Sequence, residues 1–368
     1  MSNLLKDIYS PSFYNALATG LNKIIPGFER QIFISLILTE NFQEKELKER
    51  MRHTTQALRA FMPDNFAEAA HLLPAIITQL KDDGFSEGRL EFLFLPDYIA
   101  TYGLADYENS IKALEHVTQY ITGEFAIRPF LLHYYEPTLA QMLSWSRHEK
   151  YQVRRLASEG SRPRLPWAMA VPALKKDPSP VLPILENLKN DSSEIVRPSV
   201  ANNLNDIAKD HPSIVLQIAA QWKETSKEID ALIKHGCRTL LKQGHPEILN
   251  HYGLSAKNVT LANFKINTPE VFMGNNLEFS FKIKNEQSMN QIIRVEYAIY
   301  YLRQNNTYAK KVFKISERLF LPQEEITITR RQSFKRITTR TFYPGQHRLG
   351  LILNGEEKEV KPFDLVVK

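Results

Sequence analysis

The densest concentration of charged side chains lies between residues 144 and 170, where the sequence reads SWSRHEKYQVRRLASEGSRPRLPWAMA. It contains five arginines: Arg147, Arg154, Arg155, Arg162 and Arg164. The planar guanidinium fork matches the oxygens of a phosphate group through two parallel hydrogen bonds. Two prolines stiffen the turn after a helix that should end near Gly160. The segment therefore predicts a helix and turn that bind phosphate. The alternative, which is equally favoured for Arg154 and Arg155, is a ladder of ion pairs between arginines and neighbouring acids.

Three acidic residues could act with this basic segment. Glu159 lies inside it, and an acid among arginines is either a structural ion pair or a carboxylate held ionised for electrostatic work. The residues alone favour the ion pair for Glu159 and a core position for Trp167, eight residues further on. Two further acids belong to the loose repeat: Glu124 opens EFAIRPFL, and Asp206 follows VANNLN. If the helices that carry them stack, the three acids should converge on one concave surface.

Residues 1–253 should position these side chains as an all-α domain, because the sequence reads there as successive amphipathic helices. A loose repeat runs through the region. Val153, Val196 and Ile233 are separated by 43 and 37 residues, near the period of about 40 that is typical of HEAT-like helix pairs. The spacing predicts a HEAT-like solenoid with a concave face.

The pattern changes near Leu254, after which short runs of alternating apolar and polar residues are separated by turn-forming segments. The seven runs are VTLANFKI, LEFSFKIKN, IIRVEYAIYYLR, AKKVFKI, EEITITRRQSF, HRLGLIL and KPFDLVV. Seven short strands without a disulfide pattern predict an immunoglobulin-like β-sandwich over residues 254–368.

Charge is distributed unevenly along the 368 residues, whose net charge is +6. Residues 145–175 carry +5 and residues 256–368 carry +8, whereas residues 1–144 carry −6 and residues 176–255 carry −1. This distribution favours a protein that turns one surface toward a polyanion. The alternative is a set of scattered, solvated lysines.

The composition excludes several classes of protein. A hydrophobic fraction of 43% and a charged fraction of 24% are ordinary for a globular chain and exclude a disordered or fibrous one. Cys237 is the single cysteine, so no internal disulfide or thiolate metal cluster can form, and the histidines lack metal-ligand spacing. No apolar run approaches the roughly 20 residues that span a bilayer, and the amino terminus does not have the profile of a signal peptide. We expect a soluble cytoplasmic protein that needs no metal.

Four segments resemble the AlkC family of bacterial DNA alkylation-repair glycosylases, which are HEAT-like relatives of the AlkD glycosylases. The segments are LKERMRH (47–53), EFAIRPFL (124–131), VRRLASEGSRPRLPWA (153–168) and VRPSVANNLNDIAK (196–209). The resemblance covers most of residues 1–253, and the strand-rich tail looks like the immunoglobulin-like domain that some members carry. It implies a monofunctional glycosylase that excises cationic N3-methylated bases, chiefly 3-methyladenine and also 3-methylcytosine. Such enzymes hold a bent duplex on the concave helical face and act without fully flipping the base.

Matching positions in these segments imply a catalytic cluster of Asp206, Glu159 and Glu124, with Trp167 against the lesion or its sugar. Asp206 is favoured as the acid that positions the water. The resemblance also implies double-stranded, alkylated DNA as the partner, no cofactor, no membrane, and a monomer that acts at the bacterial nucleoid. In the tail, four cations in the basic stretches 303–311 and 330–340 should contact the duplex: Lys310, Lys311, Arg330 and Arg331.

Two other functions remain open on the residues alone. Helical solenoids more often bind than catalyse, so a non-catalytic scaffold with a protein-binding sandwich is the first alternative. The second is a protein that recognises damaged or bent DNA and releases no base. Composition and periodicity favour the scaffold, whereas the resemblance favours the glycosylase.

Overall fold

The computed structural model describes residues 4–166, 168–335, 337 and 340–367. Its α-helices are α1 (Pro11–Ile24), α2 (Arg30–Ile37), α3 (Leu47–Arg59), α4 (Phe66–Asp82), α5 (Phe94–Tyr102), α6 (Tyr107–Thr118), α7 (Ile127–His133), α8 (Tyr135–Trp145), α9 (Tyr151–Gly160), α10 (Pro172–Lys176), α11 (Leu182–Leu188), α12 (Val196–Ile207), α13 (Pro212–Trp222), α14 (Lys227–Gly236), α15 (Arg238–Gln243) and α16 (Pro246–His251). Short 3-10 helices cover Leu5–Ile8, Phe42–Glu44, Leu90–Leu93 and Ser179–Val181. The strands are β1 (Val259–Ile266), β2 (Glu270–Phe272), β3 (Asn276–Asn285), β4 (Gln291–Leu302), β5 (Tyr308–Phe320), β6 (Glu325–Ser333), β7 (Gly345–Leu353) and β8 (Glu356–Val366). The predicted order, an all-α region followed by a β domain, is confirmed.

The chain forms two compact units. One contains Met1–Val215 and Gln221–Gly236, and the other contains Leu216–Ala220 and Cys237–Lys368. The predicted domain boundary after residue 253 stays a prediction. No helix in the described ranges is long and apolar enough to cross a membrane.

The three helices that carry the sequence repeat lie side by side, with α12 between α9 and α14. The residues that define the repeat, Val153, Val196 and Ile233, are at most 2% exposed, so each helix buries its apolar face in the stack. Asn203 of α12 donates to the Ser158 carbonyl of α9 at 2.8 Å, which ties the two helices together. The spacing of about 40 residues thus predicted a real stack of helices, and the stack brings the last turns of α9 and α12 together.

The strands form two sheets, ordered β1-β3-β6 and β2-β8-β7-β4-β5. Paired strands are antiparallel, apart from the parallel pair β2 and β8. Alternate residues of β3 fill the core, namely Leu277, Phe279, Phe281 and Ile283. The immunoglobulin-like sandwich is confirmed, and the seven predicted runs coincide with β1 and β3 to β8. The three-residue strand β2 was missed, because a strand so short shows no alternation.

Candidate active site

The three predicted acids lie on three elements of the first unit. Glu124 precedes α7, Glu159 lies in the last turn of α9, and Asp206 lies in the last turn of α12. Their exposed fractions are 9%, 6% and 1%. Since α9 and α12 are neighbours, Glu159 and Asp206 both face the turn that follows α9. The structure therefore brings Glu159 and Asp206 together at one turn, as expected if the helices of the repeat stack.

Arg162, in that turn, joins two of the acids and is itself buried. Its Nη1 donates to Glu159 Oε1 at 2.5 Å, and its Nε donates to Asp206 Oδ2 at 2.8 Å. The second oxygen of Asp206, Oδ1, accepts from Lys209 Nζ at 2.7 Å. Each carboxylate oxygen of Asp206 is thus held by a cation, which fixes the position of the side chain.

Glu124 is held in a similar way from the other side of α9. Arg155 Nη1 donates to Glu124 Oε2, and Nη2 donates to Oε1 at 3.4 Å. Thr122 donates its hydroxyl to the same Oε2 and accepts from Arg155 Nη1 at 2.9 Å. Arg155 lies in α9 and Arg162 in the turn that follows it, and the charge of Arg155 acts on both Glu159 and Arg162, so the two ion-pair groups form one electrostatic cluster.

Glu159 differs from the other two acids in its hydrogen bonding. Its Oε2 is buried and has no hydrogen-bond partner among the described residues. Burial raises the pKa of the Glu159 carboxyl, and the charges of Arg162 and Arg155 only partly oppose this effect. A buried carboxylate oxygen with a free lone pair and a raised proton affinity is suited to accept a proton.

Sequence reasoning missed Arg128, which supports the turn between Gly160 and Met169. Arg128 is fully buried on α7, and its guanidinium donates to three backbone carbonyls: Gly160 O at 2.7 Å, Arg162 O at 2.6 Å and Met169 O at 2.9 Å. Burial, and then the nearby charge of Arg162, lower its pKa to about 10, so it remains a cation at neutral pH. Arg128 thereby fixes the backbone that presents Arg162 to the acids. The repeated Arg-Pro pair of EFAIRPFL and EIVRPSV was the available signal.

The other predicted arginines of the helical unit differ in their partners. Arg154 forms a two-pronged ion pair with Asp191, at 2.6 and 2.9 Å, and donates to two carbonyls. Arg164 pairs with Asp210, at 2.7 Å for Nη2 to Oδ1, and both partners are partly exposed. Arg147 is exposed and has no acidic partner in the part of the chain that the structure describes. The contacts of Arg154, Arg155, Arg162 and Arg164 match the ion-pair ladder, and phosphate binding by any of these residues stays a prediction.

The four predicted cations of the tail lie on β5 and β6. Lys310 pairs with Glu357 at 3.2 Å, and Arg331 pairs with Glu278 at 2.6 Å. Lys311 lies over the ring of Phe313, with its Nζ 5.1 Å from the ring centroid. Within the described ranges, Lys311 and Arg330 are exposed and have no acidic partner. They are therefore more available than Lys310 and Arg331 for contact with a phosphate group.

Trp167 lies outside the described residues, so its predicted place against the lesion has no structural account. No group of three or more His, Cys, Asp and Glu side chains in the described ranges is arranged to hold a metal ion.

Comparisons with known proteins identify relatives over the whole chain. A family model described as the C-terminal Ig-like domain of the uncharacterised protein YhaZ matches residues 260–367. The uncharacterised protein YhaZ of Bacillus subtilis (strain 168) is 44% identical over 362 residues, which are 98% of this chain and 99% of that protein. Among solved structures, the alkylpurine DNA glycosylase AlkC of Pseudomonas fluorescens, bound to DNA containing an abasic site analogue, matches with a TM-score of 0.92. That match has 34% sequence identity and covers 99% of this chain and 100% of the AlkC chain.

Proposed function

The chain belongs to the AlkC family of DNA glycosylases, and we propose that it excises cationic N3-methylated bases from alkylated double-stranded DNA. The substrates are 3-methyladenine and 3-methylcytosine. The observation that carries the proposal is the cluster of three buried acids, in which Arg162 bridges Glu159 and Asp206 and Arg155 pairs with Glu124. The enzyme acts as a monomer in the bacterial cytoplasm, at the nucleoid, and uses no cofactor.

Excision of an N3-methylated base requires carboxylates at the site but no metal ion. An N3-methylated base carries a positive charge, so the electron pair of the C1′–N bond moves to the base and the base leaves as a neutral molecule. No general acid is needed. The sugar is left with oxocarbenium character, and a nearby carboxylate stabilises that developing charge. Water then forms a bond to C1′ and gives up one proton to a base.

The different contacts of Asp206 and Glu159 support a different role for each acid. Asp206 has both oxygens occupied and is almost fully enclosed, so it serves as the fixed negative charge that faces the developing cation. Glu159 keeps Oε2 unpaired among the described residues and has a raised pKa, so it accepts the proton of the attacking water. This assignment moves the water from Asp206, which the sequence favoured, to Glu159. Glu124 sets the position of Arg155, and Trp167 contacts the lesion or its sugar.

The cations without strong acidic partners are the best candidates for phosphate contacts. In the helical unit these are Arg147, which is exposed, and Arg164, whose pair with Asp210 is open to solvent. In the tail they are Lys311 and Arg330. Ion pairs open to solvent contribute about 0–1 kcal/mol to stability, so the replacement of Asp210 by a phosphate at Arg164 costs little free energy. Held in this way, the duplex bends over the cluster and the lesion is reached without full extrusion of the base.

The decisive experiment is base release from DNA treated with dimethyl sulfate. The purified protein is incubated with this DNA in the presence of a metal chelator, and the released bases are identified by chromatography. Free 3-methyladenine and 3-methylcytosine, with strands that remain intact until alkali is added, are the expected result. Salt-sensitive DNA binding without release would instead indicate a damage-recognition protein, and neither binding nor release would indicate the scaffold.

A further inference from the structure

A second basic surface lies on α3, in a region whose overall charge is acidic. Residues 45–53 read KELKERMRH and carry four Lys or Arg and two Glu, whereas residues 1–144 together carry a net charge of −6. The two acids are engaged locally. Glu49 Oε2 accepts from the Glu46 backbone N–H at 2.7 Å, and Glu46 pairs with Lys6 at 2.8 Å. The hydrogen bond leaves the charge of Glu49 in place, but the four Lys and Arg side chains outnumber the two acids, so the net charge of the segment is positive.

The cations of this segment have different environments. Arg50 is buried and donates to the carbonyls of Lys45, Lys6 and Gln43 at 3.0, 2.9 and 3.3 Å, so it is structural. Lys45, Lys48 and Arg52 instead line an open depression of about 330 Å³ together with Glu49, His53 and Gln56. Lys45 has no ion-pair partner among the residues described.

Two further side chains define the walls of this depression. Arg52 is held by Asp97, with Nη2 to Oδ1 at 3.0 Å, so its guanidinium is fixed at the edge. His53 Nε2 lies 3.1 Å from the Ile37 carbonyl oxygen and must donate to it. Burial, and then the charge of Lys45, lower the pKa of His53, so this ring is neutral at pH 7 and the cations are the two lysines and Arg52.

The depression adjoins the acid cluster. Lys48 Nζ lies 5.8 Å from the centroid of the half-buried Phe125 ring, and Phe125 directly follows Glu124. A DNA strand that passes Glu124 would therefore run beside Lys48. The three cations outnumber Glu49, the acid that lines the depression, and its open mouth admits a phosphate group of a nucleic-acid backbone.

We infer that Lys45, Lys48 and Arg52 form a phosphate-binding site for the DNA strand that flanks the lesion on the Glu124 side. This inference rests on the proposed glycosylase function and extends it, because none of these residues belongs to the predicted DNA-binding set. Through this site, the acidic amino-terminal part of the chain contacts the duplex directly.

The test is the salt dependence of duplex binding by the full-length Lys45→Gln/Lys48→Gln variant. Each lost phosphate contact lowers the slope of log affinity against log salt by about 0.9. Because Lys45 and Lys48 hold one phosphate group together, the loss of affinity between 50 and 200 mM salt should be roughly 3.5-fold smaller in the variant than in the wild type. The probe is a short duplex that contains an abasic-site analogue. The matched control is Lys112→Gln/Lys176→Gln, which removes the same charge from two exposed lysines on α6 and α10.

The Lys45→Arg/Lys48→Arg variant keeps the charge and should retain the wild-type slope. A wild-type slope in the glutamine variant, or an equal reduction in the control, would overturn the inference. Base release by the wild type is measured in parallel. If the wild type releases no base while the glutamine variant loses slope, the proposed function fails and the phosphate site stands.

Discussion

The substitution Glu159→Gln should separate catalysis from stability. Glutamine has the same shape, and its amide oxygen can still accept from Arg162 Nη1, which lies 2.5 Å from Glu159 Oε1. The amide nitrogen replaces Oε2, which accepts no hydrogen bond among the described residues. One charge-assisted hydrogen bond becomes a neutral one, a loss of about 1 kcal/mol. Removal of a buried charge offsets part of that loss. The amide N–H groups have no acceptor at the buried Oε2 position among the described residues, so the free energy of unfolding should fall by about 1–3 kcal/mol, a loss that leaves the protein folded.

The same substitution should slow base release strongly, because glutamine cannot take a proton from water. General-base catalysis contributes about 10²–10⁴-fold, which corresponds to about 3–5 kcal/mol of activation free energy. The assay is single-turnover release of 3-methyladenine with the enzyme in excess, alongside duplex affinity, which should be unchanged. The control is Glu91→Gln, because Glu91 is another buried glutamate held by one arginine, with Arg89 Nε to Oε1 at 3.2 Å. Wild-type release by Glu159→Gln would refute the assignment of the proton acceptor.

The raised pKa of Glu159 predicts how the rate of base release and the stability of the protein depend on pH. The rate of the wild type should fall as the pH is lowered through this raised value, and the low-pH limb should be absent in Glu159→Gln. For stability, a carboxyl with a raised folded-state pKa loses its proton first in the unfolded chain as the pH rises. The stability of the wild type relative to the glutamine variant should therefore be greatest in acid and decline as the pH rises through the folded-state pKa. Urea unfolding followed by tryptophan fluorescence at acidic and neutral pH measures this difference.

Four further predictions test other contacts. Arg128→Lys should leave at least one buried carbonyl unpaired, lower stability by about 1–3 kcal/mol and reduce base release more than duplex affinity, as measured by unfolding, single-turnover and binding assays. Gly160→Ala should destabilise the helical unit by about 1–3 kcal/mol in thermal unfolding, because its Cβ would lie 2.8 Å from two side-chain atoms. Lys311→Gln with Arg330→Gln should lower the salt slope of duplex binding by about 1.8 without changing the unfolding of the helical unit. Burial lowers the pKa of His347, so the unfolded chain takes up that proton first as the pH falls, and the hydrogen-exchange protection factors of β7, corrected for the intrinsic exchange rate at each pH, should fall below the ordinary histidine pKa.

The fold could be predicted from the sequence where one side of an element is buried. The stack of α9, α12 and α14 followed from Val153, Val196 and Ile233, because each of these residues faces the core. Strand β3 alternates cleanly for the same reason. Strand β4 does not, since its polar residues Arg294 and Glu296 are buried and paired with each other at 2.6 Å.

The sequence predicted which acids lie close together, but it could not predict which cations pair with each acid. Sequence similarity grouped Glu124, Glu159 and Asp206, but it could not show that Asp206 has both oxygens occupied and Glu159 only one. That distinction depends on partners such as Arg162, which lies 44 residues from Asp206 along the chain. The basic surface on α3 was missed for a different reason. The net charge of −6 was counted over all of residues 1–144, and such a sum does not show a local cluster of cations.

The counterions of the acid cluster have a consequence for approach by a polyanion. Three carboxylates in one place would repel the DNA backbone over the Debye length of about 8 Å at physiological salt. Here Arg155, Arg162 and Lys209 lie within hydrogen-bonding distance of those carboxylates, so each acid is half of a dipole rather than an isolated charge. The field of a dipole falls off faster with distance than that of a charge. A phosphate several ångströms away therefore meets little repulsion, whereas a cationic sugar in contact with the carboxylate oxygens meets nearly their full attraction.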